Sequence, residues 1–449
     1  MPSANYIKHR GGLLLALAAG LLAYANALQG VFVFDDLNAI VANPRVHAWS
    51  AWWNAALGGG LRPLLNLSYT FSWLSGGGHP FAFHLFNLLL HLATTGLVYA
   101  LASDFMRRHV TADDARRAAA WTALLFAVHP LHSEAVTYVC GRSTALMSLF
   151  YLAALSAYAK GTDPRHRLAA LVLFAMAVLS KENALLFPLA LLVWEWACRT
   201  PWRTVLKRQW PYWSLCLLAT VALLLHPGYW SLMWDSVHVR DLHDSFPTQL
   251  DSSMVLLGRL AWPTALNFDP DWPQLSGLGS VLPQLALLAV GLLLAWRLRM
   301  TRPWFSLGLM WALVHLLLPN TFFPRADIAN ERQLYWADWA LLFALAVEMD
   351  ERLTGRAAVA AALALICTLA GTTLARNTVY HSEVALWEDS VAKSPNKARA
   401  WNNLGFAYQM AGRTQDAVRA YCATIRLNPE HVKAHNNLAR LDGKCEQRT

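Results

Sequence analysis

Apolar residues come along this chain in long runs, not in the alternation of a half-buried strand or the three-and-four spacing of an amphipathic helix. The first, "GGLLLALAAGLLAYANAL" from Gly11 to Leu28, carries no charge. Further runs cover roughly 81–104, 117–131, 143–159, 167–180, 183–198, 211–226, 281–296, 303–319, 333–349 and 357–375. Crossing the hydrocarbon of a bilayer takes about 20 helical residues. Backbone polar groups there must be satisfied within the segment, which selects helices. The pattern predicts an all-α polytopic membrane protein of about eleven transmembrane helices.

Composition agrees. Of 449 residues, 56% are hydrophobic and only 14% charged, against about 25% charged in a soluble domain. The net charge of +9 could attract nucleic acid, but no basic stripe interleaved with aromatics exists to bind it. The cations instead cluster between apolar runs. With the N-terminus inside, the inner segments around 8–10, 107–117, 160–167, 199–208, 297–302 and 352–356 hold eighteen Lys and Arg, and the longer outer segments before Arg376 hold eight. That asymmetry predicts a cytoplasmic N-terminus and an exported tail. "KHR", an apolar core and "AYA" (Ala23–Ala25) also resemble a cleavable signal. The apolar stretch continues past that site, so a retained span is the expectation.

Three outer segments are polar. The first, about 29–80, holds "FDD", "RPLLNLSYTFSW" and "VHAWSAWWNAAL", the last expected to lie on the membrane surface by Trp49, Trp52 and Trp53. The second is "HPLHSEAVTYVCGRST", and the third covers about 227–280. After a predicted transmembrane domain over 1–380, the region 381–449 changes character. Trp401, Leu404, Gly405, Tyr408, Gly412, Ala417, Tyr421 and Pro429 have tetratricopeptide spacing, with Thr424 where Ala is usual. "VALWEDSVAKSP" reads as the second helix of a preceding repeat and "HVKAHNNLARL" as the start of the next. Such stacks bind peptides. Repeat geometry is expected to hold Cys422 and Cys445 too far apart to pair.

Candidate chemistry sits at the outer surface. Asp35 and Asp36 follow the first run directly. They fit a solvated loop start with Asp36 as helix N-cap, or a general base with a neighbouring acid that orients it. Arg62, Arg142, Lys181, Arg325 and Arg332 lie near outer span ends, suited either to an anionic headgroup or to pairing with Glu134, Glu182 or Glu331. In "SKEN", Lys181 and Glu182 could neutralise each other. His129, His132 and Glu134 in "HPLHSE" lack the helical spacing of a zinc site because Pro130 interrupts it, so they, with His79, are candidate substrate contacts and no metal site is expected. His84 and His91 read as packing residues. No phosphate-binding glycine loop, dinucleotide fingerprint or nucleophile elbow occurs.

"FVFDDLNAIVANPRV", "RPLLNLSYTFSW", "HPFAFHLFNLLLHL", "AVHPLHSEAVTYVCGRSTALMSLFYL", "LSKENALLFPLALL", "NERQLYW" and "RNTVYHSEVALWEDSVAKSP" occur in that order. Together they resemble the transmembrane and tetratricopeptide-repeat-containing O-mannosyltransferases, membrane glycosyltransferases of the GT-C class. The tail departs, with about one full repeat where the family often has many, and the Ala- and Leu-rich composition looks bacterial, which would mean an inner membrane. The resemblance implies a polyprenyl-phosphate sugar as donor, with no certain cofactor and a divalent metal unlikely, and a Ser or Thr of an exported protein as acceptor. It also implies inverting transfer on the periplasmic or lumenal face. Asp35 or Asp36 would be the base, and Arg62, Arg142, Lys181 and Arg332 would hold the phosphate. His79, His129, His132, Glu134, Glu182 and Glu331 are the remaining substrate contacts. A repeat-bearing scaffold, and a transporter or ligase of lipid-linked sugars, are the competing readings.

Overall fold

The computed structural model describes residues 3–238, 242–321, 327–352 and 355–445. Arg325 lies outside the described residues. Every regular element among them is a helix. Each apolar run lies wholly or largely on helix, as in Ser3–Ala23, Pro80–Met106, Ala112–Val128, Arg142–Ala159 and Arg356–Thr378. Five segments are long and apolar enough to cross a membrane by themselves: Gly11–Gln29, Pro80–Met106, Val139–Ala159, Leu278–Leu298 and Arg356–His381. Leu14, Leu22, Leu287 and Leu293 on these helices face outward, which suits lipid rather than water. One boundary differs from the sequence pattern. The run at 333–349 becomes helix only at Trp339, and residues 327–338 form buried turns at one end of the bundle.

The two ends of the bundle are chemically distinct. At one end, arginines tie neighbouring helices together, Arg117 to Asp350 at 3.3 Å and Arg208 to Glu195 at 2.8 Å, while Arg352 pairs within its own helix with Glu348 at 2.7 Å. Arg199 and Arg108 donate to the carbonyls of Arg299 and Ala159. At the other end, helices stop inside the protein, and their last carbonyls need partners. The helix Ala112–Val128 stops before Pro130, and side chains from other helices complete it. His132 Nδ1 lies 2.9 Å from the Phe126 carbonyl, His91 Nε2 3.0 Å from that of Ala127, and Thr373 donates to that of Val128 at 2.7 Å.

The first and last membrane helices lie side by side. Asn377 donates to the Ala23 carbonyl at 3.0 Å, and Asn26 donates to that of Leu374 at 2.8 Å. This lock sets the start of the repeat region beside the end of the first helix. The repeats follow as helices Glu383–Lys393, Ala398–Met410, Thr414–Leu427 and Val432–Arg440, the arrangement read from the sequence. Gly405 is required because a Cβ there would meet the Tyr421 ring at 2.6 Å. Thr424 is accommodated, its hydroxyl donating to the Ala420 carbonyl at 3.1 Å.

The expectation for the tail cysteines is corrected: Cys422 and Cys445 form a disulfide with Cα atoms 5.5 Å apart. After Arg440 the chain turns back through Asp442, at a φ of 48°. Gly443 then packs where a Cβ would lie 2.7 Å from Leu438 and 2.8 Å from Val418, which brings Cys445 onto the helix bearing Cys422. Peptide mapping of the unreduced protein is expected to recover a Cys422–Cys445 linked pair, and Cys422→Ser is expected to weaken docking of the last helix by roughly 3 kcal/mol, read by proteolysis near residue 430. Two freely alkylated thiols before reduction would contradict this.

Candidate active site

The chain from Val31 to Val33 is irregular, turns at Phe34 and re-enters a helix at Asp35 and Asp36, and this stretch is held from three sides. Val31 N–H donates to the Tyr380 carbonyl at 3.4 Å, and Phe34 N–H donates to Glu383 Oε1 at 3.1 Å. The Phe34 ring meets Trp387 and Phe268 edge-on, with centroids 5.3 and 5.7 Å away. Phe34 has a φ of 52°, a left-handed conformation that costs a bulky residue about 1–3 kcal/mol. The surrounding contacts hold it there, and the kink turns the two acids apart.

Asp36 is fully buried and accepts from Val33 N–H at 3.1 Å and Cys140 N–H at 2.8 Å. It does not cap the helix that follows; it bridges the first and second outer segments. Asp35 opens instead on a cavity of about 800 Å³. Arg62, Lys181, Glu182 and Arg332 also line that cavity, so four sequence candidates join Asp35 there. Its apolar wall is Leu61, Leu65, Met147, Val178 and Leu223, and Asn38, Asn66, Asn330 and Gln333 add amides.

The cations differ in their freedom. Arg62, at a φ of 53°, forms a two-point bridge to Glu182 at 3.0 and 2.7 Å. Glu182 therefore pairs with Arg62 rather than with its neighbour Lys181, whose ammonium donates to Thr144 Oγ1 at 2.7 Å. Burial pushes the Glu182 carboxyl up, but the Arg62 charge outweighs it and holds the acid at about 2. Arg332 is clamped by Glu134, side chain at 2.8 Å and N–H at 3.0 Å. Asp35 reaches water in the cavity, yet the protein around it raises its carboxyl above the usual range, opposed by the Arg332 charge. Asp36 is raised by burial to about 7.

Residues 67–230 match the family described as dolichyl-phosphate-mannose-protein mannosyltransferase, and residues 386–419 match a tetratricopeptide repeat. Protein O-mannosyl-transferase TMTC3 of Mus musculus is 26% identical over 480 residues, covering 93% of this chain and 51% of that protein. Protein O-mannosyl-transferase TMTC1 of Homo sapiens is 25% identical, covering 96% and 57%. Protein O-mannosyl-transferase F38B6.6 of Caenorhabditis elegans is 25% identical, covering 93% and 63%. This chain is similar to the protein O-mannosyl-transferases along nearly its whole length. The expected family resemblance holds, although the chain spans only about half to three fifths of the length of these relatives. Asp35, Asp36, Arg62 and Arg332 lie outside the mannosyltransferase match, so the cavity is built partly from segments flanking it.

Several candidates are not in the cavity of this O-mannosyl-transferase relative. Arg142 is fully buried, bonded to Asn87 at 2.7 Å, to Ser72 at 3.0 Å and to the carbonyls of Ser68 and Phe83 at 2.8 and 2.9 Å, with the rings of Tyr69, Phe83 and Phe86 around it. It braces helices and does not line the cavity. His79 is an exposed N-cap, accepting from Phe81 N–H at 3.2 Å. His132 is buried against Asp338 at 2.9 Å, and His129 lies 3.0 Å from the Leu260 carbonyl. Glu331 is buried beside Arg259 and accepts from Asn267 N–H at 2.6 Å. The two histidines and Glu134 thus turn to different partners, and among the described residues no three His, Cys, Asp or Glu converge as a metal-ligand set. Sequence reasoning missed Asn38, Tyr138, Thr144, Asn330 and Gln333; the last two flank Arg332 in "NERQ", the signal that could have found them.

Arg142→Met is expected to cost about 2–4 kcal/mol by leaving several buried acceptors unpaired, read as lower yield and thermal stability. For Asp36 the folded acid titrates at about 7 against 3.8, so the stability its neutral form contributes is complete below 3.8 and lost as pH rises through about 7. Melting temperature should fall across that window in the wild type, and less in Asp36→Asn, which should start lower because one backbone N–H then faces an amide donor.

Proposed function

We propose that this chain is a membrane glycosyltransferase that moves a sugar, mannose or another hexose or pentose, from a polyprenyl-phosphate to a Ser or Thr hydroxyl of an exported protein. The observation that carries this is the separation of the two acids: Asp35 shares a cavity with three cations and an apolar wall, while Asp36 is buried behind it. The apolar wall suits the first isoprene units, and the cations suit the phosphate beside them.

Asp35, ionised, takes the proton of the acceptor hydroxyl. The oxygen's electron pair forms the new bond to the anomeric carbon as the bond from that carbon to the phosphate oxygen breaks on the opposite face, giving inversion. The pair from the broken bond leaves on the lipid phosphate, a stable anion that needs no strong acid. Lys181 and Arg332 stabilise that growing charge, with Arg62 held near it by Glu182. Asp36 is a positioning residue that fixes the loop carrying the base.

The acids, the cavity and the repeats share one end of the bundle, and the arginine-tied end is the other. We infer that eleven spans place the first end outside and the N-terminus in the cytoplasm, a reading the tail disulfide supports because such bonds persist in exported compartments.

Asparagine keeps the shape of aspartate without its basicity. Asp35→Asn is expected to lower transfer by about 10²–10⁴-fold with folded amount retained, measured as labelled sugar passing from polyprenyl-phosphate to peptide. Wild-type transfer by this variant would mean that Asp35 is not the base and that the acidic loop is structural. Because the Asp35 carboxyl lies above its ordinary 3.8, the acid limb of the rate profile should fall off above that value as the base protonates.

A further inference from the structure

A second, smaller space adjoins the cavity at the joint with the repeats. It has a volume of about 20 Å³ and is lined by Phe34, Trp272, Asp327, Trp387 and Arg399. Asn330 and Arg332 line both spaces. The backbone at 34–35 divides them: Phe34 faces the crevice and Asp35 the cavity. A point reached through the crevice is therefore one residue away from the base.

The crevice has the chemistry of a peptide site rather than a second anion site. Its charges cancel in pairs, Lys397 with Asp269 at 2.7 Å, Arg399 with Asp327 at 2.7 Å and Arg332 with Glu134 at 2.8 Å. What remains is aromatic surface and the Asn330 side-chain amide. Asn330 is only 7% exposed, and among the described residues its Oδ1 has no hydrogen-bond partner. A buried acceptor left alone costs about 1–3 kcal/mol, and a donor arriving through the crevice offsets that cost. The space admits one or two waters, or a group of similar size such as the hydroxymethyl of a serine. None of the apolar-wall residues lines the crevice, so a lipid donor and a peptide at the repeat joint would meet different surfaces.

We propose that the acceptor polypeptide lies over this crevice at the repeat joint as an extended, uncharged Ser- or Thr-bearing segment and places one small group in it, with the Asn330 amide oxygen accepting from its backbone N–H or hydroxyl. The proposal rests on the transferase reading above. It makes the repeat joint part of the acceptor site and Asn330 a specificity-determining residue.

The test uses the full chain in nanodiscs, a labelled polyprenyl-phosphate-mannose donor and a synthetic Ser/Thr peptide carrying a benzophenone two residues from the acceptor. Photocrosslinks are expected on residues 267–272 or 384–399; crosslinks confined to 49–66 would overturn the crevice. Asn330→Ala should raise the peptide KM about tenfold, equivalent to about 1.4 kcal/mol, with the donor KM unmoved, and Asn330→Ser should recover part of the loss. Equal change in both KM values, or in neither, would overturn the role of Asn330. Crosslinks at the crevice without sugar transfer by the wild type would support the peptide site and sink the transferase reading. Transfer with crosslinks elsewhere would sink the crevice alone.

Discussion

The Asp36 carboxylate reaches two backbone N–H groups in segments about a hundred residues apart, Val33 on its own loop and Cys140 across the bundle. A buried carboxylate is tolerable only with such donors, and having both makes it a rivet between the first and second outer segments. The left-handed turn at Phe34 depends on it. So does the direction of Asp35, since adjacent side chains on a kinked segment diverge. A residue buried out of reach of any substrate thus determines where the exposed acid points.

The second constraint is the buried end of the helix Ala112–Val128. Its carbonyls cannot meet water, so His91, His132 and Thr373 from elsewhere complete them. That use explains a histidine-rich motif without a metal or a substrate. It also recruits the last membrane helix, which Asn377 and Asn26 lock to the first. The repeats consequently begin beside the acidic loop, and Glu383 at their first helix binds the Phe34 backbone directly. The link between repeat stack and Asp35 is covalently distant and physically short.

Charges in this protein divide by what surrounds them. At the end away from the cavity, arginines pair with acids on neighbouring helices in partly exposed bridges, worth little individually. At the cavity end, Arg62 and Arg332 are held in fixed geometry by Glu182 and Glu134. Such pairing does not remove a cation from use; it fixes its position at a cavity wall, which is what stabilising a leaving anion demands. Arg142 shows the contrast, with neutral partners on every side and no route to the cavity.

Run length and polarity alone determined the helical membrane architecture, because lipid leaves a chain no other way to satisfy its backbone. Repeat spacing likewise announced the tail helices, since Gly405 and Tyr421 must touch. Sequence also found Asp35, Glu182 and the three cations that line the cavity, because charge at the end of an apolar run is costly and conspicuous. It could not rank Asp35 against Asp36 or separate Arg142 from Lys181, nor could it pair Cys422 with Cys445. Each of those depends on which surface meets which after folding: a left-handed Phe34, a ring of neutral acceptors around one guanidinium, a backward turn at Asp442. Asn330 was invisible for the same reason, since an amide in a loop becomes distinctive only when packing buries it at the seam of two spaces and leaves its oxygen unmet.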